Sequence, residues 1–442
     1  MKLMRSAAAL SLSMSVLNCL AISDSQKSYV DIMHDSIVSS QKVVMFGDNS
    51  DSTNNTAADS IKSIVERFYY DQFRHFQDPD APYFLFLSRD SKLAMGIGGC
   101  VRMRGYFDWG GAIPAAGFVP YLIPMDPDPA KMRKFGTSPA GTCLFFRIIG
   151  QNKTLGNYSL YIEANFNGYE TRDFKLKKAY ATINDFTIGY APSTFSDPAA
   201  VPPTVDAQGP NNKMSNTSVL VRWMPHVKDH WVFAVSAETP ETSISADNIE
   251  TKKVDEWIPD AAAFMQYEWG TTSHVRLSGI IRSLSYRDLV AAKNHYMTGW
   301  GVQLSAVGHP HPQLTLYGTA NYGKGYAGLG GDLLIGTYDL VGDPLSPGKL
   351  YAPRSYGWNL GIQYNIRPNL FVSTSFSQNR YLPSHTVDPT EYRYGLFGDV
   401  NIFWNMTPRI QVGAEFDYGM RKNFNGNHRW SKRIGAMAQF SF

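Results

Sequence analysis

Eight basic residues carry the strongest chemical signal in this sequence. Each lies on the polar side of a segment in which apolar and polar side chains alternate, so strands would turn all eight toward one face. Arg and Lys side chains that line a wet passage attract anions and select them over cations. For any single residue of this set, the alternative is that its charged side chain only keeps the polar face hydrated and does not select ions. The eight are Arg102, Arg104, Arg147, Lys175, Lys177, Arg222, Arg276 and Arg282.

Acidic candidates for the same face are fewer. The alternation places five carboxylates there, which leaves the first nine predicted strands with an excess of positive charge. We therefore expect the wet face to prefer anions. The five are Glu163, Glu268, Asp399, Glu415 and Asp417.

The elements that position these residues are strands of unusual length. Period-two alternation begins near residue 92 and is clearest at 158–166, 356–365 and 410–420. The segments run about 10 to 14 residues, whereas strands of globular proteins average ~5–6. Their apolar faces end in Tyr and Trp, as a barrel that crosses a lipid bilayer requires. The pattern predicts an all-β fold, a transmembrane antiparallel β-barrel of about sixteen strands.

Composition supports the same class of protein. Charged residues make up 18% and aromatic residues 13% of the 442 residues. No run after residue 22 approaches the roughly 20 apolar residues of a spanning helix, and a barrel needs none because its strands alternate lipid-facing and lumen-facing side chains. A net charge of +3 without a basic run argues against a nucleic-acid partner.

The connections between the predicted strands alternate in length. Short, turn-like connections occur at 151–156, 184–185, 225–229, 308–312, 367–368 and 406–408. Between them lie longer ones at 109–140, 192–216, 238–259, 327–354 and 381–391. Bacterial barrels have this asymmetry, with short periplasmic turns and longer external loops.

The connection at 192–216 is a candidate constriction loop. Its 5 prolines stiffen it, and its apolar patch at 199–201 is unusual for a solvated loop. If the loop folds inward, this patch packs on the barrel wall while Asp197 and Asp206 face the basic strands. An ordinary external loop is the alternative.

The N-terminal part of the chain carries signals of export. Residues 1–23 have the charged start, apolar run and small-residue cleavage site of a signal peptide, with lipidation at Cys19 as the alternative. Residues 24–90 are expected to form a periplasmic segment, a polar linker at 47–60 followed by a helix. That helix is either a tail packed under the barrel or a coiled-coil handle. The barrel itself is expected at 91–442.

The last strand and the cysteines add two further signals. The final alternating segment ends in Phe440 and Phe442, which is typical of the signal read by the barrel assembly machinery. Beyond the export signal only Cys100 and Cys143 remain, too few for a disulfide framework, although one bridge between them is possible.

Motifs of enzymes and metal sites are weak. The sequence has no Gly-x-Ser-x-Gly element, and its histidines lack a third ligand at a recognisable spacing. Residues 318–324 match the start of a phosphate-binding loop, but Gly325 stands where Ser or Thr is needed. We therefore expect no enzyme activity, no cofactor and no metal.

Residues 161–222 resemble the DcaP-like outer-membrane porins. The resembling stretches, in the order of the family's strands and constriction loop, are 161–166, 174–182, 189–197 and 206–210, and the opening strand at 93–108 is also similar. The resemblance implies a sixteen-stranded, trimeric porin with an inward-folded third loop and a preference for anions. Family members often carry paired arginines where this chain has Lys175 and Lys177. Lysine lacks the bidentate geometry of arginine, so we expect looser selectivity.

Pattern and resemblance together predict a bacterial outer-membrane porin. Small polar solutes, mainly anions, would diffuse passively through a water-filled channel narrowed by the loop at 192–216. The expected partners are these solutes, outer-membrane lipid or lipopolysaccharide, and the barrel assembly machinery, with the chain in a homotrimer. A structural or adhesive barrel with an occluded lumen is the alternative, and a barrel hydrolase is a weaker one.

Overall fold

The computed structural model describes residues 42–46, 71–78, 82, 84–88, 92–126, 128–166, 173–244, 247–270 and 272–442, the first of these by its backbone alone. The predicted signal peptide at 1–23 lies outside the described residues, as does 61–70, which holds most of the predicted helix. Residues 71–78 form turns instead of a regular helix. Among the described residues, no helix has the length and apolar character to cross a membrane.

Sixteen antiparallel strands form one closed sheet. Each strand pairs with the next along the chain, and two strands run in two parts. The strands are β1 (Leu93–Trp109), β2 (Arg133–Ser138 and Cys143–Asn152), β3 (Gly156–Phe166), β4 (Phe174–Ile183), β5 (Phe186–Pro192), β6 (Thr217–Trp223 and His226–Lys228), β7 (Trp231–Glu238), β8 (Asp260–Trp269), β9 (Ser273–Asp288), β10 (Lys293–His311), β11 (Leu314–Lys324), β12 (Arg354–Arg367), β13 (Leu370–Leu382), β14 (Tyr392–Thr407), β15 (Ile410–Asn423) and β16 (His428–Ser441).

The barrel closes between its last and first strands. β16 pairs antiparallel with β1, and Phe440 stands opposite Val101. Phe442 extends the pairing, because its N–H donates to the Gly99 carbonyl at 2.9 Å and its own carbonyl accepts from the Gly99 N–H at 2.8 Å. Closure satisfies the backbone groups of both strands, as a wall inside a bilayer requires.

Alternation sorts the side chains of each strand into two faces. In β12, Leu360, Ile362 and Tyr364 are exposed on the outside by 64%, 45% and 43%, whereas Asn359 and Gln363 are buried on the inside. A water-soluble sheet would bury the apolar face instead, so the exposed apolar band is the surface suited to lipid. The predicted fold class and strand number are confirmed.

One end of the barrel has short turns and the other has longer loops. Short turns join the strands at 153–155, 184–185, 229–230, 270–272, 312–313, 368–369 and 408–409. The opposite end carries the loops at 110–132, 193–216, 239–259, 325–353 and 383–391. The predicted alternation of short and long connections is present, with 270–272 as a turn that the sequence pattern did not single out.

Smaller elements lie at both ends. The loops that leave the long-loop end contain the strands Thr251–Lys253, Val341–Gly342 and Leu350–Tyr351, the 3-10 turns Pro120–Leu122, Pro129–Lys131, Pro198–Ala200 and Ala327–Leu329, and helix α1 (Gly331–Ile335). At the short-turn end, the strand Phe84–Ser88 pairs antiparallel with the start of β1. The strand Lys42–Phe46 pairs in turn with Phe84–Ser88, in the parallel direction.

Aromatic rings cluster on the outer face near each end. Phe186 stacks on Trp223 at the short-turn end, with 6.5 Å between ring centroids. Tyr418 stacks on Trp430 at the long-loop end, with 4.5 Å between centroids. Rings at these two levels are the interfacial girdles of a barrel that spans a membrane.

Candidate functional site

The loop at 193–216, here named the inner loop, folds into the barrel and crosses part of its lumen. On one side the Asp197 carboxylate lies 2.9 Å from His274 Nε2 on β9. Further round the barrel, Asn401 Oδ1 on β14 accepts a hydrogen bond from the Val205 N–H at 2.9 Å. The inner loop therefore narrows the lumen between these two parts of the wall.

Apolar contacts fix the inner loop in place. Ala200 and Val201, from the predicted apolar patch, are buried. Val205 packs against Phe403 and Met437, whose side chains point inward from β14 and β16. Apolar burial of this kind contributes about 25 cal/mol for each Å² removed from water. The inner loop is thus part of the barrel core and not an external loop.

Asp197 faces the predicted basic wall. Its Oδ1 lies 3.6 Å from Arg276 Nη1, and Ser305 donates to its other oxygen. Burial alone would raise the pKa of Asp197, but Arg276 and His274 hold the pKa well below its ordinary value. This carboxylate is therefore a charged anchor for the inner loop.

Asp206 has a different role. Its carboxylate accepts backbone N–H bonds from Phe118 at 2.8 Å and from Gln208 at 2.8 Å. Its ion-pair partner is Arg433 on β16, at 3.5 Å. Asp206 thus ties the inner loop to the loop at 110–132 and does not lie opposite the predicted lysines.

A second stretch of chain also lies inside the barrel. Residues 71–78, here named the lumen segment, begin near β8, where Phe73 packs on Phe264 with 6.1 Å between ring centroids. The guanidinium carbons of Arg222 and Arg276 lie 4.0 and 5.2 Å from the centre of the Phe73 ring. Two of the eight predicted basic residues therefore hold an aromatic ring of the chain itself by cation–π contact.

Gln77 ties the lumen segment to the first strand and to the inner loop. Arg104 Nη2 donates to the Gln77 side-chain carbonyl at 2.6 Å, and Arg102 Nη2 donates to the Gln77 backbone carbonyl at 2.7 Å. The Gln77 amide in turn donates to the backbone carbonyl of Thr204. Phe76 lies edge-on to Phe403, with 5.3 Å between centroids. The lumen segment is therefore bound from several sides.

Asp78 lies between two lysines at the end of the lumen segment. Lys177 and Lys178 donate to its two carboxylate oxygens at 2.5 and 3.0 Å. Burial would raise the pKa of Asp78, but the two lysine charges hold the pKa well below its ordinary value. Lys177 also lies 2.9 Å from Glu163 on β3. The wall here binds a carboxylate with two ammonium groups.

A bulge explains why two consecutive lysines share the inner face. The register between β3 and β4 shifts after Glu163, so strict alternation fails at this point. The sequence pattern selected Lys175 and Lys177 and missed Lys178. Lys175 lies near the loop end of β4, exposed by 55% and 3.4 Å from Asp173. The two neighbouring lysines that point into the lumen are therefore Lys177 and Lys178, whereas the sequence pattern selected Lys175 and Lys177.

Two further predicted residues have other surroundings. Arg147 faces inward from β2, with its guanidinium carbon 5.9 Å from the centre of the Tyr161 ring. Arg282 pairs with Asp260 at 3.0 Å and with Asp339 at 2.9 Å, and all three side chains are buried. Arg282 consequently joins a loop to the wall and does not face open water.

An acidic strip faces the inner loop from β14 and β15. Asp399 and Asp417 stand directly opposite each other, and Glu415 lies next along the same face. All three are buried, and Ser375 donates to Asp399. The inner wall thus carries most of the predicted arginines and lysines on the early strands and a cluster of carboxyl groups on β14 and β15.

The loops at 110–132 and 325–353 cover the inner loop. Arg433 forms a bidentate salt bridge with Asp108, with N–O distances of 2.6 and 3.0 Å. Arg433 also donates to a backbone carbonyl of the loop at 110–132. In the loop at 325–353, Asp332 accepts a hydrogen bond from Asn211 at 2.9 Å, and burial raises the pKa of Asp332 to about 7. Because Ile434 belongs to the outer face, alternation assigns its neighbour Arg433 to the inner face. The sequence therefore already indicated that Arg433 points into the lumen.

Features that bear on catalysis and redox chemistry are few. Ser273 Oγ lies 2.9 Å from His309 Nδ1 across β9 and β10, a pair that the sequence did not indicate. The other nitrogen of His309 lies 3.4 Å from the hydroxyl of Thr272, where a catalytic triad needs a carboxylate.

Cys100 and Cys143 stand opposite each other, with 3.3 Å between their sulfurs. No cluster suited to a metal occurs in the described part of the chain.

The fold and the lumen together define a class of protein, the sixteen-stranded barrel whose interior is narrowed by an inward-folded loop. The outer membrane channel DcaP of Acinetobacter baumannii has this fold, with a TM-score of 0.66 and 19% identity over 81% of this chain and 99% of that chain. An anion-selective porin from Comamonas acidovorans gives a TM-score of 0.51 and 9% identity over 79% of this chain and 100% of that chain. No family model and no curated protein matches the sequence. The resemblance to DcaP-like porins is thereby confirmed for the fold.

Proposed function

We propose that this chain is a porin of the bacterial outer membrane through which small polar solutes, with a preference for anions, diffuse passively. The binding of Asp78 by Lys177 and Lys178, inside a closed barrel with an apolar outer face, carries the proposal. A wall that holds the chain's own carboxylate has the groups to attract carboxylate or phosphate solutes from water. Diffusion needs no catalytic residue and no cofactor.

The same proposal assigns the two ends of the barrel. Short turns would face the periplasm and long loops the cell exterior, as in bacterial barrels. Residues 1–23 would direct export and be removed, and Phe440 and Phe442 on the last strand would be read by the barrel assembly machinery. A homotrimer remains the expected assembly, on the strength of the resemblance.

Permeation requires the lumen segment to leave its contacts. While Phe73 and Asp78 are bound, the chain itself fills space beside the inner loop. After release, the inner loop sets the size limit, and Lys177, Lys178, Arg102 and their neighbours set the charge preference. The lumen segment is therefore proposed as a removable obstruction of the channel.

Swelling of proteoliposomes tests this function directly, because the rate reports solute entry. We expect small carboxylates to enter faster than amines of equal size. Release of the lumen segment by Phe73→Ala together with Asp78→Asn should raise both rates. Equal rates for the two charges would contradict the anion preference. An absence of swelling with either protein would contradict passive diffusion.

A structural or adhesive barrel is the second candidate, and the contents of the lumen favour it. The inner loop, the lumen segment and two further loops fill much of the barrel with buried side chains, among them Phe195, Phe118 and Leu333. A barrel closed in this way would present its loops to a partner without passing solute. Ion conductance after release of the lumen segment decides between the two candidates.

A further inference from the structure

A row of cations and aromatic rings crosses the outer face at the long-loop end, and transport through the lumen does not explain it. One residue from each of five neighbouring strands stands opposite the next. The row consists of Tyr356, Arg380, Tyr394, Lys422 and His428.

The cations of this row lie against its rings. The guanidinium carbon of Arg380 lies 6.0 Å from the centre of the Tyr356 ring and 5.5 Å from that of Tyr394. Lys422 Nζ lies 5.9 Å from the centre of the Tyr394 ring. Among the ion pairs of the described residues, none involves Arg380 or Lys422. Their charges are thus left for a partner outside the barrel.

A second row continues the feature around the barrel. Tyr418 and Lys432 stand opposite each other on β15 and β16, and Trp109 and Arg133 follow on β1 and β2. Lys432 Nζ lies 5.6 Å from the centre of the Tyr418 ring. Neither Lys432 nor Arg133 takes part in an ion pair of the described residues. The two rows together are here named the outer cationic band.

We propose that the outer cationic band binds the phosphate groups of membrane lipids, namely of a phosphorylated glycolipid such as lipid A in the outer leaflet. Interfacial Tyr and Trp rings lie at the level of lipid headgroups, so cations packed on them lie at the level of the phosphates. Each such cation strengthens binding to an anionic headgroup about fivefold. The inference rests on the proposed placement in an outer membrane and not on conductance.

Native mass spectrometry of the detergent-solubilised protein tests the band, with lipid A and its fully dephosphorylated form as probes. Wild type should retain lipid A and release the dephosphorylated lipid. Arg380→Gln with Lys422→Gln and Lys432→Gln should weaken lipid A binding roughly a hundredfold, the product of about fivefold for each cation. As a control, Lys153→Gln with Arg367→Gln removes two exposed cations at the short-turn end and should leave lipid A binding unchanged.

Two further readouts keep the outcomes separate. The three changes should leave the ion conductance of the Asp78→Asn protein unchanged, so a failed porin assignment and a failed lipid assignment give different results. If the triple variant does not fold, each single change should still weaken lipid A binding about fivefold. Exchange of Arg380 for Lys and of Lys422 for Arg should keep the binding. Equal retention of both lipids by wild type, or undiminished binding by the variants, would overturn the proposal, as would full displacement by inorganic phosphate.

Discussion

Asp78 and Lys178 form a buried ion pair inside the barrel, with 3.0 Å between Oδ2 and Nζ. Because of a bulge in β4, Lys177 and Lys178 share the inner face, and Lys177 donates to the other oxygen of the same carboxylate. An aspartate of the chain thereby occupies the place that the proposed function assigns to an anionic solute, so the proposed channel is obstructed by its own N-terminal residues until this contact opens.

Replacement of Asp78 by Asn should raise the ion conductance of the protein. Loss of a buried ion pair costs about 3–5 kcal/mol, which shifts the balance between bound and released lumen segment by about a hundredfold or more. Conductance in a planar bilayer measures the change. Asp173→Asn removes the exposed partner of Lys175 and is the matched control, with no expected effect. Equal conductance of the Asp78 variant and wild type would show that the lumen segment does not obstruct ion flow.

Lys177 and Lys178 should dominate the charge preference, and Lys175 should not. The double change to Gln should lower the anion-to-cation permeability ratio by roughly twofold or more, because it removes two charges from the narrowed part of the lumen. Lys175→Gln should leave the ratio unchanged, since that side chain is exposed and paired with Asp173. A ratio that responds to Lys175 and not to the other two would restore the assignment made from strict alternation.

The anion preference should fall as the pH rises through about 8. Lys213 lies on the inner loop, and burial, aided by the positive charge of Lys177, lowers its pKa to about 8. A lysine is charged below its pKa and neutral above it, so the lumen loses one positive charge across this range. Reversal potentials measured on both sides of this pH report the change. Lys213→Met should make the profile flat, and a wild-type profile that is already flat would exclude this lysine.

Arg282 should contribute to stability and not to ion preference. It holds the buried carboxylates of Asp260 and Asp339, at 3.0 and 2.9 Å. Arg282→Gln leaves two buried charges without their partner and should destabilise the protein by about 3–5 kcal/mol. Thermal unfolding of the detergent-solubilised barrel measures the loss. Unchanged stability together with a changed reversal potential would show that Arg282 selects anions, as the sequence pattern predicted.

Cys100 and Cys143 should form a disulfide when the folded protein meets a thiol oxidant. Their sulfurs are 3.3 Å apart on directly paired residues of β1 and β2. Each thiol loses one hydrogen and the oxidant accepts two electrons and two protons, so the mass falls by that of two hydrogens. Intact mass and thiol labelling under denaturing conditions detect the bond. Two labelled thiols after oxidation would contradict it.

The fold was predictable from the sequence because a barrel wall repeats every second residue. At 356–365 and 410–420 that period held over whole strands, and lipid outside and water inside leave few other arrangements for it. The inner loop was predictable for a related reason, since its apolar patch at 199–201 needs a wall to pack on.

The contents of the lumen were less predictable. The bulge that adds Lys178 to the inner face depends on the register between β3 and β4, which a period-two pattern does not encode. Contacts of Phe73, Gln77 and Asp78 join residues far apart in the chain, which a local pattern does not encode, and the spacing through Phe73 and Phe76 favoured a helix instead. The contact of Asp206 with Phe118 was missed because the inward course of the loop at 110–132 left no periodic signal.

The most direct test of the central claim is the reversal potential of the Asp78→Asn protein in a planar bilayer under a potassium chloride gradient. A wet channel lined by Lys177, Lys178, Arg102 and Arg104 predicts a clear conductance whose reversal potential is shifted toward that of chloride. No conductance from correctly folded protein, or a shift toward the reversal potential of potassium, would contradict the claim.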